Sequence, residues 1–259
     1  MVLGRIVAAV VAGALAMCAT PTQAATTKTV PKKKVPFCQT YKCIALTFDD
    51  GPAAYTDKVL ATLKKYGAKA TFFVIGNRVA KHPKLTQHIA KAGMEIGNHT
   101  WDHKYLTELN YTQVYQEIKK SQALIKKTTK QTPKVFRAPG GLRNGNVEAI
   151  SAKFKMIQVP GTTATQDYIK DYRDVSFLTD RALEVAEPGA VVLMHETVKE
   201  TVISLPTVLK ELKAQGYHFV TVSKLLEGQK LIPGQVYPEI EDPVEEPFGE
   251  EPMQDESPG

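Results

Sequence analysis

The sequence lacks several features that would place it in other protein classes. No segment repeats at a fixed period, which excludes a solenoid or a propeller. No helix-turn-helix, zinc-finger or single-strand-binding signature occurs, so a nucleic acid is the weakest candidate for a partner. The apolar run at residues 6–17 is too short for a comfortable membrane span. We therefore expect neither a nucleic-acid partner nor an integral membrane span.

Basic residues are absent from the end of the chain. From Glu239 onward the sequence holds Asp and Glu but no Lys or Arg, whereas the whole chain carries a formal charge of +6. Residues 231–259 are also rich in Pro and Glu, which predicts a disordered acidic tail. The remaining body is correspondingly more basic, and this indicates an anionic neighbour such as a cell wall.

The N-terminal residues have the three parts of a secretory signal. Arg5 precedes the apolar run, and small residues lead to a predicted cleavage after Ala24. A lipoprotein cleavage box ending at Cys18 is disfavoured by the bulky Met17 before it. Residues 1–24 are therefore predicted to be a signal peptide, and residues 25–36 a flexible basic linker. The predicted location is secreted, extracellular or associated with the cell wall.

Export leaves an even pair of cysteines. Once Cys18 departs with the leader, Cys38 and Cys43 remain in an oxidising compartment. We predict a small disulfide between them, just before the first strand. The alternative is two unpaired thiols.

Residues 37–230 alternate between strand and helix patterns. Seven apolar strand segments are predicted: the run that ends at Asp49 and Asp50, and residues 70–75, 94–97, 134–137, 156–159, 190–195 and 218–222. The main helices are predicted at residues 55–66, 77–92 with a break at His82-Pro83, 112–128, 177–187 and 205–215. This alternation is typical of an α/β fold with a parallel sheet closed, or nearly closed, into an irregular barrel in a single catalytic domain.

Polar residues follow several of these strands. Barrel enzymes gather their active residues at the carboxyl ends of the strands, on one face. The residues in such positions are Asp49, Asp50, His99, His103, Arg137 and His195.

Two histidines and a carboxylate form a candidate metal site. His99 and His103 lie one helical turn apart if Asn98 opens a turn of helix. Two imidazoles with one carboxylate are a divalent-metal ligand set that leaves positions open for water and substrate. Taken alone, a His-x-x-x-His pair is weak evidence, and Asp-Asp-Gly-Pro could be a solvated turn.

Catalysis at such a site needs a base and an acid. Because neighbours on a strand face different ways, Asp49 is the candidate base and Asp50 the candidate ligand. His195 is the candidate acid, since an imidazolium can protonate a leaving group near neutral pH. Arg137 would pair with Asp49 and hold it ionised.

Four ordered blocks carry a family resemblance. They are the blocks at residues 47–52 and 99–103, Arg137-x-Pro139-Gly140-Gly141, and Leu193-x-His195. Together they resemble the polysaccharide deacetylases of carbohydrate esterase family 4, over about residues 42–228. The resemblance implies a distorted (β/α)7-like barrel and a metal-dependent hydrolase. The metal is usually zinc, with cobalt as an alternative, and water attacks an acetyl carbonyl to release acetate.

The resemblance also implies roles for single residues. Asp49 is the base, Asp50, His99 and His103 bind the metal, Arg137 orients Asp49, and His195 is the acid. The backbone N–H of Gly140 would help to hold the oxyanion, where many relatives have Tyr. Leu193 would line the acetyl pocket.

One block departs from the family pattern. The relatives carry Asp-x-x-Asp-Trp, whereas residues 164–168 read Ala-Thr-Gln-Asp-Tyr. Spacing favours Asp167 as the carboxylate that orients the acid and Tyr168 as the aromatic wall. Asp171 and Tyr172 are the rival alignment.

Three functions follow as hypotheses. The first is N-deacetylation of N-acetylglucosamine in peptidoglycan or chitin-type polymers. The second is an acetylxylan esterase, which removes O-acetyl groups from xylan with the same site. The third is a carbohydrate-binding module with a dead site, although a pure binder needs no acid and base pair. In each case the partner is an acetylated polysaccharide, and we expect a monomer.

Overall fold

The computed structural model describes Met1, Gly4 and residues 35–239. Nearly all of the predicted signal peptide, most of the predicted linker and residues 240–259 of the predicted tail lie outside the described residues. Within the described part of the chain, no helix combines the length and the apolar character that crossing a membrane requires.

The centre of the molecule is a curled sheet of eight strands in which every described pair is parallel. The strands run in the order β5-β4-β3-β2-β1-β7-β6, and β8 pairs with the first residues of β1. They are β1 (Cys43–Gly51), β2 (Ala70–Val74), β3 (Glu95–Asn98), β4 (Val135–Phe136), β5 (Ile157–Gln158), β6 (Thr163–Ala164), β7 (Val191–His195) and β8 (His218–Phe219). The arrangement is a distorted (β/α)7-like barrel, as predicted.

Helices cover the sheet. They are α1 (Thr56–Tyr66), α2 (Gly76–Lys81), α3 (Pro83–Lys91), α4 (Tyr111–Thr129), α5 (Gly145–Lys153), α6 (Val175–Glu184), α7 (Lys199–Ala214) and α8 (Val222–Leu225). The predicted break at His82-Pro83 separates α2 from α3, because Pro cannot continue the ladder of the preceding helix but suits a first turn. Asn110 and Gln113 form a capping box that starts α4.

Burial explains why β1 lies at the centre. All nine of its residues are buried, and on its core side Phe48 stacks on Phe72 of β2 with ring centroids 5.2 Å apart. Burial on both faces is typical of a parallel sheet covered by helices. The register sets Asp49 beside Phe73 on one neighbour and His195 on the other. The carboxyl end of β1 therefore lies directly beside His195 at the end of β7.

Three elements differ from the sequence-based expectations. β6 is an eighth strand of two residues, too short to leave a periodic signal. The helix predicted at residues 205–215 begins earlier, at Lys199, and continues through Pro206. The third is residues 231–239, which were predicted to belong to a disordered tail. Residues up to Glu239 are described, and Val236 forms a parallel bridge to Gln158 at the edge of β5.

This edge contact has a physical reason. The backbone N–H of Gln158 donates to the carbonyl of Gln235 at 2.8 Å, and its side chain donates to the carbonyl of Gly234 at 2.7 Å. An edge strand has unpaired backbone groups, and these residues satisfy part of them.

The predicted disulfide is present. Cys38 and Cys43 are bonded with Cα atoms 5.4 Å apart, and the bridge closes a short loop directly before β1.

Replacing both cysteines by Ala is expected to lower the free energy of unfolding by about 2 kcal/mol, because a short loop loses little entropy on closure. Urea denaturation measures this, and wild-type protein with reductant should show the same loss. A loss above about 4 kcal/mol would contradict the loop-entropy argument.

Candidate active site

Two adjacent carboxylates end β1 and face the same imidazole. Asp49 Oδ2 lies 3.9 Å from His99 Nε2, and Asp50 Oδ1 lies 3.5 Å from the same atom. The prediction that strand alternation sends them to opposite faces is wrong. Asp50 has a φ of +66°, and the register with β2 shifts between Asp49 and Gly51, so Asp50 occupies a bulge. Their other partners nevertheless differ.

Asp50, His99 and His103 come together as a candidate metal centre. Their ligand atoms all lie within 4.8 Å of one another, and Asp50 Oδ1 is 3.3 Å from His103 Nε2. Asp50 Oδ1 is buried, and no group in the described part of the chain completes a hydrogen bond to it. His99 Nδ1 lies 2.8 Å from the carbonyl of Arg137, which fixes Nδ1 as the donor and leaves the Nε2 lone pair for a metal.

This donor set fits a divalent cation. One carboxylate oxygen and two imidazole nitrogens are ligands that zinc prefers, and three protein ligands leave a position open. A buried carboxylate oxygen that lacks a hydrogen bond is costly unless a cation compensates it. The residues therefore match the group that the resemblance implies.

The pKa shifts of two of the three ligands, Asp50 and His103, also suit metal binding. Burial alone would raise the pKa of Asp50, but the imidazoles of His103 and His99 hold that pKa below its usual range. Burial lowers the pKa of His103 to about 4, so this imidazole is neutral at neutral pH. Burial lowers the pKa of His99 as well, but the neighbouring carboxylates Asp50 and Asp49 outweigh it and raise the pKa.

The segment that carries the two histidines is an irregular loop. Thr100 and His103 have φ values of +66° and +58°, which excludes the helical turn predicted from Asn98. Side chains hold the loop instead: Asn98 Oδ1 accepts from the Thr100 N–H at 2.9 Å, and Thr100 Oγ1 accepts from the His103 N–H at 3.0 Å. The histidines meet at Asp50 because of these contacts.

Glu117 of α4 braces this loop from outside. Its Oε2 accepts from the N–H groups of Trp101 at 3.0 Å and of Asp102 at 2.9 Å. Both backbone donors lie between the two histidines. The Glu117 side chain is mostly buried. The conformation of the loop therefore depends on a residue that lies 15 or 16 positions later in the chain.

Replacing Glu117 by Ala is expected to weaken divalent-metal binding by roughly ten- to a hundredfold, as seen for residues that orient metal ligands. Glu117→Gln is the matched control, because its amide oxygen can still accept both bonds. Competition with a chromophoric chelator measures the affinity. Equal metal affinity in wild type and Glu117→Ala would show that the loop holds its shape without this brace.

Arg137 is fixed against Asp49. Its Nη1 lies 2.8 Å from Asp49 Oδ1 and donates to Thr47 Oγ1 at 2.8 Å, while Nε donates to the carbonyl of Val159 at 2.8 Å. The guanidinium carbon lies 4.2 Å from the centre of the Phe73 ring. Burial lowers the pKa of Arg137, and Asp49 counteracts this. A guanidinium does not lose its proton in proteins, so Asp49 faces a permanent cation.

His195 ends β7 and pairs with Asp167. His195 Nδ1 lies 2.7 Å from Asp167 Oδ1, and the His195 N–H donates to Asp167 Oδ2 at 2.7 Å. Burial lowers the pKa of His195, but Asp167 outweighs this and raises it to about 10. The imidazole is therefore protonated at neutral pH. Asp171, the rival candidate, is exposed.

Two of the predicted substrate-binding residues, Tyr168 and Leu193, lie close to His195, and the third, Gly140, follows β4. The Tyr168 ring centroid is 6.2 Å from that of His195, and Leu193 is partly exposed on β7. Gly140 has a φ of +62°, and a Cβ placed on it would lie 2.7 Å from the ring of Tyr105. A side chain at position 140 would therefore displace Tyr105.

The sequence analysis assigned no role to four residues that contact parts of the site. They are Thr47 beside Arg137, Glu117 at the loop after His99, Thr201 beside Asp167, and Glu196 beside Gly51. The first three act through long-range contacts for which the sequence holds no signal. Glu196 follows His195 directly and is fully buried, and burial raises its pKa to about 8. Its Oε1 fills the place that a Cβ on Gly51 would take, so any larger residue at position 51 would displace the Glu196 carboxyl group.

Known proteins are similar to this chain in sequence. The polysaccharide deacetylase family matches residues 38–159. The chain is 40% identical over 205 residues to the peptidoglycan-N-acetylglucosamine deacetylase PgdA of Listeria monocytogenes, covering 79% of this chain and 43% of that protein. It is 40% identical over 195 residues to a peptidoglycan-N-acetylglucosamine deacetylase of Bacillus cereus, covering 71% of this chain and 88% of that one.

Solved structures of other proteins are similar to this fold. A structure described as T48 deacetylase with substrate superposes with a TM-score of 0.73 at 34% identity, covering 77% of this chain and 98% of that one. The Xyl-CE4 domain of a multidomain xylanase from the hindgut metagenome of Trinervitermes trinervoides superposes with a TM-score of 0.70 at 32% identity, covering 76% of this chain and 97% of that one.

The match to PgdA is partial, since the chain spans less than half of that relative's length. The Bacillus cereus relative, in contrast, is covered over most of its length at 40% identity. Together with the parallel barrel and the matched residues, this shows that the chain belongs to the polysaccharide deacetylase family, carbohydrate esterase family 4.

Proposed function

We propose that this chain is a secreted, metal-dependent peptidoglycan deacetylase that hydrolyses the N-acetyl groups of N-acetylglucosamine and releases acetate. The observation that carries this proposal is the convergence of three units at the carboxyl end of β1. They are a metal ligand set around Asp50, an Arg137-paired carboxylate at Asp49, and an Asp167-paired imidazole at His195. Hydrolysis of an amide needs all three: an electrophilic centre, a base and an acid.

Asp50, His99 and His103 would hold the metal, for which zinc is the first candidate and cobalt the alternative. A divalent ion held there would supply Lewis acidity for the hydrolysis. Asp49 accepts the proton of the attacking water, and Arg137 keeps its carboxylate ionised and aimed. The N–H of Gly140 donates to the developing oxyanion.

The proton for the leaving group comes from His195. Its imidazolium donates from Nε2 to the sugar nitrogen, while Asp167 holds Nδ1. An amine leaves poorly as an anion, so a positioned acid matters more for an amide than for an ester. Leu193 and Tyr168 would line the acetyl pocket and the sugar groove.

The choice of substrate rests on relatives and charge. The relatives named above for their activity act on peptidoglycan N-acetylglucosamine. The basic character of the chain before its acidic end suits an anionic wall polymer. Chitin-type polymers offer the same N-acetylglucosamine unit and are a broader form of the same proposal.

The location is also a proposal. The leader pattern of residues 1–24 supports export, and so does the disulfide between Cys38 and Cys43, because disulfides persist in oxidising compartments. We propose that the exported chain works as a monomer, associated with the wall or free outside the cell.

Acetate release by the purified chain without residues 1–24 tests the substrate. N-acetylglucosamine oligomers, peptidoglycan fragments and acetylated xylan are compared with added zinc. Release from peptidoglycan or the oligomers, with little from xylan, is the expected result. Release from none of the three would refute the deacetylase proposal and favour the binding-module hypothesis.

O-deacetylation of xylan remains the second candidate. The observation that favours it is the similar Xyl-CE4 domain, which comes from a multidomain xylanase. Release of acetate from xylan alone in the same panel would establish the esterase and overturn the amide proposal.

A further inference from the structure

The carboxylate of Asp167 has a third partner besides the two groups of His195. Thr201 Oγ1 donates to Asp167 Oδ2 at 2.7 Å, on the same oxygen that accepts from the His195 N–H at 2.7 Å. The other oxygen, Oδ1, is the one that faces His195 Nδ1. Asp167 is fully buried and Thr201 almost so, so water does not compete for these bonds.

We infer that Thr201 is a positioning residue for the proposed deacetylation, because its hydroxyl fixes the Asp167 carboxylate and thereby the orientation of the His195 imidazole. The inference rests on the proposed function, which gives His195 its proton transfer. Thr201 itself touches none of the reacting groups.

The physical reason is the freedom of a carboxylate. The torsion that rotates a carboxylate about its Cβ–Cγ bond is broad, so one hydrogen bond leaves its plane poorly defined. Two donors on Oδ2, one from the backbone of β7 and one from α7, fix that plane and aim Oδ1 at Nδ1. Two elements of the fold thus set the direction in which the acid presents its Nε2 proton.

The position of Thr201 on its helix strengthens this. It is the third residue of α7, where hydroxyl groups commonly interact with the helix's own backbone. Here the hydroxyl donates outward to a residue 34 positions earlier in the chain. The carboxylate therefore also lies at the first turn of α7, where the helix dipole favours negative charge.

Three variants test the inference. Thr201→Val removes the hydroxyl and keeps the shape, Thr201→Ser restores the hydroxyl, and Thr86→Val is the control. Thr86 is also a buried helical threonine, but its hydroxyl bonds to the carbonyl of His82, away from the site. In Thr201→Val, kcat for N-acetylglucosamine oligomers is expected to fall by roughly ten- to a hundredfold, because small misplacements of a catalytic group are costly.

The KM and the metal content of Thr201→Val should stay near wild type, and Thr201→Ser should recover most of kcat. Thr86→Val should keep kcat. A wild-type kcat in Thr201→Val would overturn the inference, and so would an equal loss in Thr201→Ser, because that loss would come from packing and not from the hydroxyl.

Proton NMR provides a readout that does not require turnover. A histidine Nδ1–H that bonds to a carboxylate gives a far-downfield signal, which His195→Gln should remove and so assign. This signal should shift or broaden in Thr201→Val and stay unchanged in Thr86→Val. A wild-type signal in Thr201→Val would overturn the inference. Absence of acetate release by the wild type would refute only the proposed function.

Discussion

Replacement of Asp49 by Asn is expected to abolish acetate release while the metal content stays at the wild-type level. The amide cannot accept the proton of the attacking water, and loss of a general base typically lowers kcat by roughly 10²- to 10⁴-fold. The metal should remain, because Asp50, His99 and His103 form the ligand set without Asp49. Acetate assays and elemental analysis of the same sample measure the two quantities.

This substitution keeps the local structure as far as a single change allows. The Asn oxygen can still accept the bond that Arg137 Nη1 now donates to Asp49 Oδ1. Asp180→Asn, at an exposed position on α6, is the control for the change of charge. Loss of the metal together with activity would show that Asp49 is also a ligand and would overturn the division of roles between the two carboxylates.

Replacement of His195 by Ala is expected to lower kcat by a similar factor, roughly 10²- to 10⁴-fold, with little change in KM. The imidazolium supplies the proton that lets the amine leave, whereas substrate binding depends on other groups. Asp167 stabilises the charged imidazole and so raises the pKa of His195 to about 10. The acid is therefore protonated at neutral pH before substrate binds. Steady-state kinetics on N-acetylglucosamine oligomers separates kcat from KM.

A second pair of variants checks the pairing of this acid. Asp167→Asn should also reduce kcat, because the amide offers no negative charge to the imidazolium. Asp171→Asn should leave kcat unchanged, since Asp171 is exposed and Asp167 makes the contact. A wild-type kcat in His195→Ala would mean that another group supplies the proton.

The positions of the strands could be predicted because a buried strand appears in the sequence as a continuous run of apolar residues. The apolar run before Asp49 and the strand that ends at His195 both read as buried parallel strands, and the structure confirms them. Because parallel strands share one carboxyl edge, identifying these two strands was enough to predict that Asp49 and His195 lie on the same edge of the sheet.

The shape of the site could not be predicted, because distant residues impose it. The loop from His99 to His103 looked helical by spacing, but Asn98 and Glu117 hold it with Thr100 and His103 in left-handed conformations. No local sequence pattern predicts a contact between a helix residue and a loop that lies 16 residues earlier in the chain.

The same holds for the bulge at Asp50, for the strand β6 and for the contact between Thr201 and Asp167. Each depends on packing between elements that are far apart in sequence, which overrides local propensity. Residues 231–239 follow the same logic: their composition predicts disorder, but the open edge at Gln158 gives their backbone a partner.

The most direct test of the central claim is acetate release from purified peptidoglycan by the chain without residues 1–24, with zinc and after removal of metal by a chelator. We predict release with zinc, loss after chelation and recovery when zinc is returned. Equal release before and after chelation, with no metal detected in the chelated sample, would contradict a metal-dependent site at Asp50, His99 and His103.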